Sequence, residues 1–253
     1  RNRDHLQHAI LANEDVIISD VTSAYAVLAL SGPLSRAVLE TLVDISLSDK
    51  DFPPYSLQQF YIGHAPVFAQ RLSFTGEMGW EIFITPDFAE YVFEQLYQAG
   101  QAYDLQLAGG EALNALRIEK GFVHWGSDMA YTESPHQIGL GFACRIDKDI
   151  AFTGKAAYLA RGAEAKGPFL CSLKLQQPDA MLHHNEPVLR DGVIVGFITS
   201  GAFSAVQGSA VALCLIEPPA GNSGDKALEK GDYSVLVEGR FIPAILQHNP
   251  FTH

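Results

Sequence analysis

Apolar residues recur with two different periods along the chain, and the first region mixes strand-like runs with helical patterns. Residues 25–30 form an unbroken apolar run, which is typical of a buried strand. Gly32-Pro33 follows and predicts the start of a helix, because a proline in the first turn loses no hydrogen bond. Residues 87–100 repeat apolar side chains at helical spacing and end at Gly100. Strands, hairpins and helices in this order predict an α+β domain with helices against an antiparallel sheet.

One strand-like stretch, RLSFTGEMGWEIFI at residues 71–84, carries two glycines near its centre. Gly76 and Gly79 bracket Glu77 and supply the backbone freedom of a tight turn, so the stretch predicts a β-hairpin. Glu77 has an aromatic residue on either side of it in the sequence and could point into a cleft. An ordinary hairpin with a solvated carboxylate is the alternative.

A helix is predicted from about Gly110 to Lys120, with Leu113 and Leu116 facing the core. Arg117 follows Leu113 by four residues and should therefore lie at the edge of the apolar stripe. Its stem could cover apolar surface while the guanidinium meets water. Alternatively, the guanidinium points into a cleft and holds a carboxylate, which its planar fork suits.

Beyond Pro168 the helical pattern gives way to short strands. Asp191-Gly192 and Glu238-Gly239 lie between apolar runs and predict hairpin turns, with positive φ at Gly192. Several strands in about eighty residues indicate a small barrel or sandwich. The segment between the two regions is linker-like. We therefore predict domains at residues 1–155 and 168–253.

Composition and charge exclude several classes of protein. The chain has 253 residues, 47% of them hydrophobic, and a net charge of −12, which disfavours a nucleic-acid or anionic-membrane partner. A small anionic ligand stays possible where a few basic residues converge. Three widely spaced cysteines show no zinc or disulfide spacing and favour a reducing, cytoplasmic location. No stretch is long and apolar enough to span a membrane, and no signal peptide opens the chain.

Common catalytic and cofactor signatures do not occur. The sequence has no dinucleotide-binding glycine fingerprint, no phosphate-binding loop and no nucleophile elbow. His183-His184 has no carboxylate or cysteine at ligand spacing, so we expect a loop or edge-strand pair and no metal site.

Five stretches in combination resemble the folate-dependent aminomethyltransferase family, the T-protein of the glycine cleavage system. They are FTGEMGWEIFI, ALNALRIEKGFVHWGSDM, ESPHQIGLGF, FTGKAAYL and VGFITSGAFSAVQGSAVALCLIEPP. Within the family, the chain is most similar to the C-terminal, folate-binding part of dimethylglycine and sarcosine dehydrogenases. The resemblance runs nearly end to end and implies part of a T-protein-like folate-binding domain followed by a small C-terminal β-barrel.

The resemblance also implies site residues. Glu77 would reach the pterin ring of tetrahydrofolate, and a carboxylate can accept two parallel hydrogen bonds from such a ring. Arg117 would lie close to the folate, Phe74 and Trp125 would form walls of its pocket, and Asp128 is a possible polar contact or a cap residue. Phe74 replaces the tyrosine that the family usually has, and ESPHQIGLGF departs from its usual Thr-Pro and Glu-Ala-Gly-Leu residues.

The implied activity is transfer of a one-carbon unit to tetrahydrofolate, with an N-methyl amine or aminomethyl donor that the sequence does not choose. An upstream flavin domain carrying FAD, or a lipoyl carrier protein, would be the partner. The match starts after the family's N-terminal segment and its catalytic aspartate, so either the chain is a piece of a longer protein or the chemistry of its relatives has been lost. Alone, we expect it to bind folate weakly or not at all. The alternatives are a demethylase with another donor, a structural module, and a non-catalytic folate-binding module. The branch that assists iron–sulfur assembly has a cysteine in its motif, whereas this chain has Lys120-Gly121-Phe122.

Overall fold

The computed structural model describes residues 2–162, 167–219, 228 and 230–251 of the chain. These residues fall into two compact units. The sheet unit comprises residues 2–73 and 77–107, and the barrel unit comprises residues 74–76 and those from 108 onward. No helix among the described residues is long and apolar enough to cross a membrane.

The sheet unit is a four-stranded antiparallel sheet with the strand order β1-β4-β3-β2. Its strands are β1 (Ala26–Ser31), β2 (Leu57–Ile62), β3 (Ala65–Gln70) and β4 (Gly79–Ile84), and its helices are α1 (Asn2–Ala9), α2 (Ser35–Glu40) and α3 (Pro86–Gly100). The long helix α3 packs against β1, β3 and β4. Trp80, Ile82 and Ile84 of β4 are fully buried and form part of the core beneath it. The predicted helix ending at Gly100 is confirmed.

Three predictions for this unit need correction. The run at residues 25–30 is not a buried strand, because β1 lies at the sheet edge and buries only Leu30 fully. The helix after Gly32-Pro33 begins at Ser35, so the proline lies in the turn before it. Residues 71–74 are not a strand, because the hairpin pairs β3 with β4 across a longer connection. Of its two glycines, only Gly76 has positive φ, at 73°.

The barrel unit contains a closed six-stranded antiparallel barrel with the order β10-β5-β8-β7-β6-β9. Its strands are β5 (Phe169–Leu175), β6 (Pro187–Arg190), β7 (Val193–Ser204), β8 (Ser209–Ile216), β9 (Tyr233–Val237) and β10 (Arg240–Gln247). Before the barrel come helices α4 (Gly110–Glu119) and α5 (Lys155–Gly162). An antiparallel sheet with helices, followed by a barrel, confirms the predicted α+β fold class.

Both predicted hairpin turns are confirmed. Asp191 and Gly192 have φ of 52° and 79° between β6 and β7, and Glu238 and Gly239 have 49° and 79° between β9 and β10. Positive φ at both central residues is the condition for the type I′ turn, whose twist matches that of the flanking strands.

Strand β8 explains why the chain contains the unbroken apolar run AVALCLI. All eight of its residues are buried, because the strand has a packed surface on each face. Cys214 belongs to the cluster inside the barrel, whereas Leu213 and Leu215 belong to a second cluster that includes Ile118 of α4. Burial, together with the neighbouring Cys171, raises the pKa of the Cys214 thiol.

The two compact units divide the chain near residue 107, whereas our predicted domains divide it between residues 155 and 168. Helix α4 packs on β7 and β8 within the barrel unit, which is why the geometric unit begins before the barrel itself. The boundary at 155–168 stays a prediction about the domains of the sequence.

Candidate functional site

A cavity of about 460 Å³ lies in the barrel unit beside the start of α4. Its wall is built from α4, from His124 and Ser127, from His183-His184 and from Thr199, Ser200 and Gly201 of β7. The volume falls in the range that small-molecule sites occupy. The wall combines hydroxyl, amide and imidazole groups with the ring of Phe74, so it offers both polar contacts and a flat apolar surface.

The structure brings two of the four predicted cofactor residues to this cavity. Arg117 and Phe74 both line it, and the Phe74 ring stacks on Phe122 with centroids 6.0 Å apart. Trp125 is 57% exposed and does not line it. Glu77 is exposed and belongs to the sheet unit.

Helix α4 presents a different face to its core from the one predicted. Leu113 and Leu116 are 39% and 36% exposed, whereas Arg117 is only 4% exposed and Ile118 and Glu119 are also buried. The prediction that the leucines face the core and that Arg117 lies at the stripe's edge is therefore wrong. The apolar periodicity predicted the wrong buried residues, because it cannot show where the fold supplies enough hydrogen-bond acceptors to bury a charged side chain.

Arg117 has an acceptor for each of its five N–H groups. Nε and Nη2 donate to Asn114 Oδ1 at 3.0 and 2.8 Å, and Nη2 also donates to Ser200 Oγ at 2.7 Å. Nη1 donates to the Phe122 carbonyl at 3.0 Å and to Asp128 Oδ2. A guanidinium offers five donors in a fixed fork, so this set uses the whole fork. The arginine joins α4 to β7 and holds Asn114 and Ser200 in the cavity wall.

Asp128 is the carboxylate partner of this arginine and has no exposed surface. Besides Arg117, its Oδ2 accepts the backbone N–H of His124 at 2.8 Å. Its Oδ1 accepts the Thr199 hydroxyl at 2.6 Å. A buried charge is tolerated when it is paired and fully hydrogen-bonded, and both conditions hold. Asp128 thus ties the segment after α4 to β7.

Asn114 and Ser200 are cavity residues that the sequence analysis missed. Because arginine only donates, the Asn114 oxygen must face Arg117, and its amide N–H groups point away from the guanidinium. Asn114 lies three residues before Arg117, a spacing that places both on one side of a helix. That spacing was visible in the sequence, whereas the pairing with Ser200 spans 83 residues and was not.

Gly201 keeps the cavity's two walls close together. A Cβ at this position would lie 2.5 to 2.6 Å from the carbonyl group of Leu182, the residue before His183-His184. Glycine is therefore required where β7 passes this segment, because any side chain would push the two histidines away from Ser200.

Two further cavities have other characters. One of about 480 Å³ in the barrel unit is largely apolar and shares Phe74 and Phe122 with the ring stack. One of about 690 Å³ in the sheet unit is lined by Tyr25, Phe68 and Phe83. Neither contains Arg117 or Glu77. Within the described residues, no group of three or more histidine, cysteine or acidic side chains is arranged to hold a metal ion.

Two family models match the chain in succession. The GCVT N-terminal domain matches residues 1–148, and the glycine cleavage T-protein C-terminal barrel domain matches residues 169–252. The second match covers all six strands of the barrel.

Curated relatives resemble the chain over most of its length. It is 35% identical to 4-methylaminobutanoate oxidase (formaldehyde-forming) of Paenarthrobacter nicotinovorans over 92% of this chain, and 30% identical to mitochondrial dimethylglycine dehydrogenase of Homo sapiens over 96%. It spans only 28% of the length of each of these two. It is also 30% identical to the aminomethyltransferase of Halothermothrix orenii, over 95% of this chain and 64% of that protein.

The fold has a counterpart among solved structures. The glycine cleavage system aminomethyltransferase T from Bartonella henselae superposes with a TM-score of 0.73 over 90% of this chain and 60% of that one, at 23% identity. Because the first family model alone covers more than half of the residues and the barrel model continues it, the chain belongs to the GCVT family of aminomethyltransferases.

Proposed function

We propose that this chain provides the folate-binding part of an enzyme that transfers a one-carbon unit to tetrahydrofolate. The observation that carries the proposal is the match of both GCVT family models, in order, along nearly the whole chain. The relatives named as an oxidase and a dehydrogenase of N-methyl amino acids support an N-methyl amine as the donor. A flavin-bearing region would then oxidise the donor, and a lipoyl carrier is the corresponding partner if the donor is an aminomethyl group.

The cavity beside α4 has the features that a folate needs. Its volume of about 460 Å³ suits a small molecule, the Phe74 ring offers a flat contact for an aromatic group, and the Asn114 amide can donate hydrogen bonds. Tetrahydrofolate, when bound, supplies the ring nitrogen N5 that takes up the one-carbon unit. The protein's contribution is then to hold the two reactants close and correctly oriented.

Within this proposal Arg117 is a positioning residue. Its five N–H groups are already used by protein acceptors, so its effect on a ligand passes through Asn114 and Ser200. Glu77 is assigned to the pterin through the family motif that surrounds it. A carboxylate there would accept hydrogen bonds from the pterin amino group and a ring N–H.

The test is a titration of the natural gene product containing these residues with 5-formyltetrahydrofolate, comparing wild type with Glu77→Gln. Glutamine turns one acceptor oxygen into a donor that faces the pterin's own donors. We expect folate binding to weaken by about 2–4 kcal/mol, or roughly 30- to 1000-fold, with an unchanged melting temperature.

Glu40→Gln is the matched control, because it makes the same carboxylate-to-amide change at an exposed residue at the end of α2. It should leave the affinity for folate unchanged. Equal affinity of wild type and Glu77→Gln would remove Glu77 from the site. No folate binding by the wild type would refute the function and favour a structural module. Folate binding without formation of 5,10-methylenetetrahydrofolate from any donor would favour the non-catalytic folate-binding module.

A further inference from the structure

The cavity beside α4 is lined by basic and protonatable side chains in a chain that is acidic overall. Arg117, His124, His183 and His184 all contribute to its wall. Among the described residues that line it, none is aspartate or glutamate, although the chain contains 29 acidic and 17 basic residues. The Arg117 charge is paired with Asp128, so the cavity's capacity to hold an anionic group depends on its histidines.

His184 is held in one orientation by the strand beside it. Its Nδ1 lies 2.6 Å from the carbonyl oxygen of Thr199, and because a carbonyl only accepts, Nδ1 carries the hydrogen. Nε2 is then the nitrogen left for a ligand. A neutral ring offers a lone pair there, whereas a protonated ring offers an N–H, so an anion selects the protonated ring.

The segment that carries His183 is held in place, and the start of α4 adds positive potential to the cavity. The backbone N–H of His183 donates to Glu186 Oε1 at 2.9 Å, which fixes the segment that carries both rings. Gly110, the first residue of α4, also lines the cavity, and the start of a helix carries a partial positive charge. His124 also lines the cavity, and its Nδ1 is 3.4 Å from Ser127 Oγ.

Acidic residues also lie near the histidines, because His183 lines a second cavity of about 160 Å³ together with Asp179, Glu186, Glu238 and Arg240. Asp128 is fully buried behind the wall and is neutralised by Arg117. Glu186 is engaged by the backbone of His183, and Glu111 follows Gly110 in the first turn of α4. Within the cavity wall itself, the side chains that can carry a positive charge besides Arg117 are the three histidines.

We propose that His183 and His184 form a carboxylate-binding site in this cavity, and that it takes the glutamate tail of the folate. The choice of folate rests on the proposed function. The same chemistry would also accept the carboxylate of an N-methyl amino acid donor, so the experiment includes both ligands.

The experiment measures dissociation constants of the natural gene product at about pH 8 and about pH 6, where histidine side chains in general gain charge. The ligands are 5-formyltetrahydrofolate, the corresponding 5-formyltetrahydropteroate without glutamate, and N,N-dimethylglycine. The proteins are wild type, the double variant His183→Gln/His184→Gln, and His5→Gln as a control at an exposed histidine of α1.

For wild type and His5→Gln, we expect 5-formyltetrahydrofolate to bind about two- to thirtyfold more tightly at the lower pH, which is the gain of about two partly exposed ion pairs. The double variant should show no such gain, and the pteroate, which lacks both glutamate carboxylates but keeps a benzoate carboxylate, should show a smaller one. A gain for dimethylglycine together with none for the folate would assign the carboxylate to the donor.

Folate binding with the same affinity at both pH values, and no pH effect on dimethylglycine, would overturn the anion site and leave the proposed function intact. If neither wild type nor either variant binds folate at either pH, the proposed function fails. The pH dependence of dimethylglycine binding then decides alone whether the carboxylate-binding site exists. The wild-type pH profile requires no substitution, so the test holds even if the double variant does not fold.

Discussion

Replacing Asp128 by asparagine should destabilise the barrel unit by about 3 kcal/mol, the lower end of the cost of breaking a buried ion pair. Asparagine keeps the shape and the number of hydrogen bonds. Its oxygen can accept from Arg117 and His124, while its amide donates to the Thr199 hydroxyl. That hydroxyl can turn to the Leu213 carbonyl, which is 3.1 Å away. What is lost is the negative charge, which leaves Arg117 buried without a counter-ion.

A second substitution, at Arg117, separates the effect of the two charges on stability from the effect of side-chain packing. Arg117→Met should cost about 3–5 kcal/mol, because it leaves the Asp128 carboxylate buried and uncompensated. The double variant Arg117→Met/Asp128→Asn contains neither charge. We expect it to be less destabilised than the sum of the single variants by about 0.5–3 kcal/mol, the range measured for coupled neighbours.

The assay must read the barrel unit separately, because a chain with two compact units need not unfold in one step. Hydrogen exchange of peptides from α4 and β7, followed by mass spectrometry in increasing urea, gives the local free energy of opening. Asp147→Asn is the matched control, because Asp147 pairs with Arg145 at 2.7 Å where both side chains are mostly exposed. That control should change nothing measurable. If Asp128→Asn costs no more than the control, or if the two single effects simply add, the reasoning about the buried pair is refuted.

Three other outcomes follow from the structure. Gly192→Ala should cost about 1–2 kcal/mol by urea denaturation, because φ is 79° while the space for a Cβ is open; an unchanged midpoint would contradict the type I′ turn. Gly196→Ala should cost more than Gly192→Ala in the same assay, because its Cβ would lie 1.9 Å from a backbone carbonyl oxygen; the reverse order would be inconsistent with this packing. Hydrogen bonds, the largest from Arg71, lower the pKa of Asp49 from its ordinary 3.8. The Asp49 contact therefore stabilises the sheet unit fully above pH 3.8, and this stabilisation is lost as the pH falls through the lower pKa of the folded state. Asp49→Asn should therefore make the stability of the sheet unit depend less on pH below about pH 4. Identical acid-unfolding curves of the two proteins would argue against the contact.

Local signals predicted the parts of the fold that depend on neighbouring residues. Asp191-Gly192 specified its turn because positive φ is a property of the residues themselves. The helix ending at Gly100 also needed only local periodicity. The strand β1 was misjudged because Ala26–Ser31 is apolar but lies at the sheet edge, and edge position depends on the order of strands.

The candidate site was less predictable, for a physical reason. The sequence pointed to Arg117 and Asp128, yet their roles are set by Thr199 and Ser200, which are far away along the chain. Periodicity assigns charged residues to the surface and cannot register acceptors that the fold brings from elsewhere. The histidine pair at 183–184 was expected only as a loop or edge-strand pair, because its position beside α4 is a tertiary property.

The long separation inside the Arg117 network has a consequence for synthesis on the ribosome. Thr199 lies 71 residues after Asp128, and Ser200 lies 83 residues after Arg117. At 5 to 20 residues per second, the ribosome needs about 4 to 17 seconds to cover those 83 residues. Until then the Arg117–Asp128 pair lacks the Ser200 acceptor and the Thr199 donor from β7, and burying the pair would leave charged groups without hydrogen bonds. We therefore expect the buried pair to form only after β7 has been synthesised, late in the production of the barrel unit.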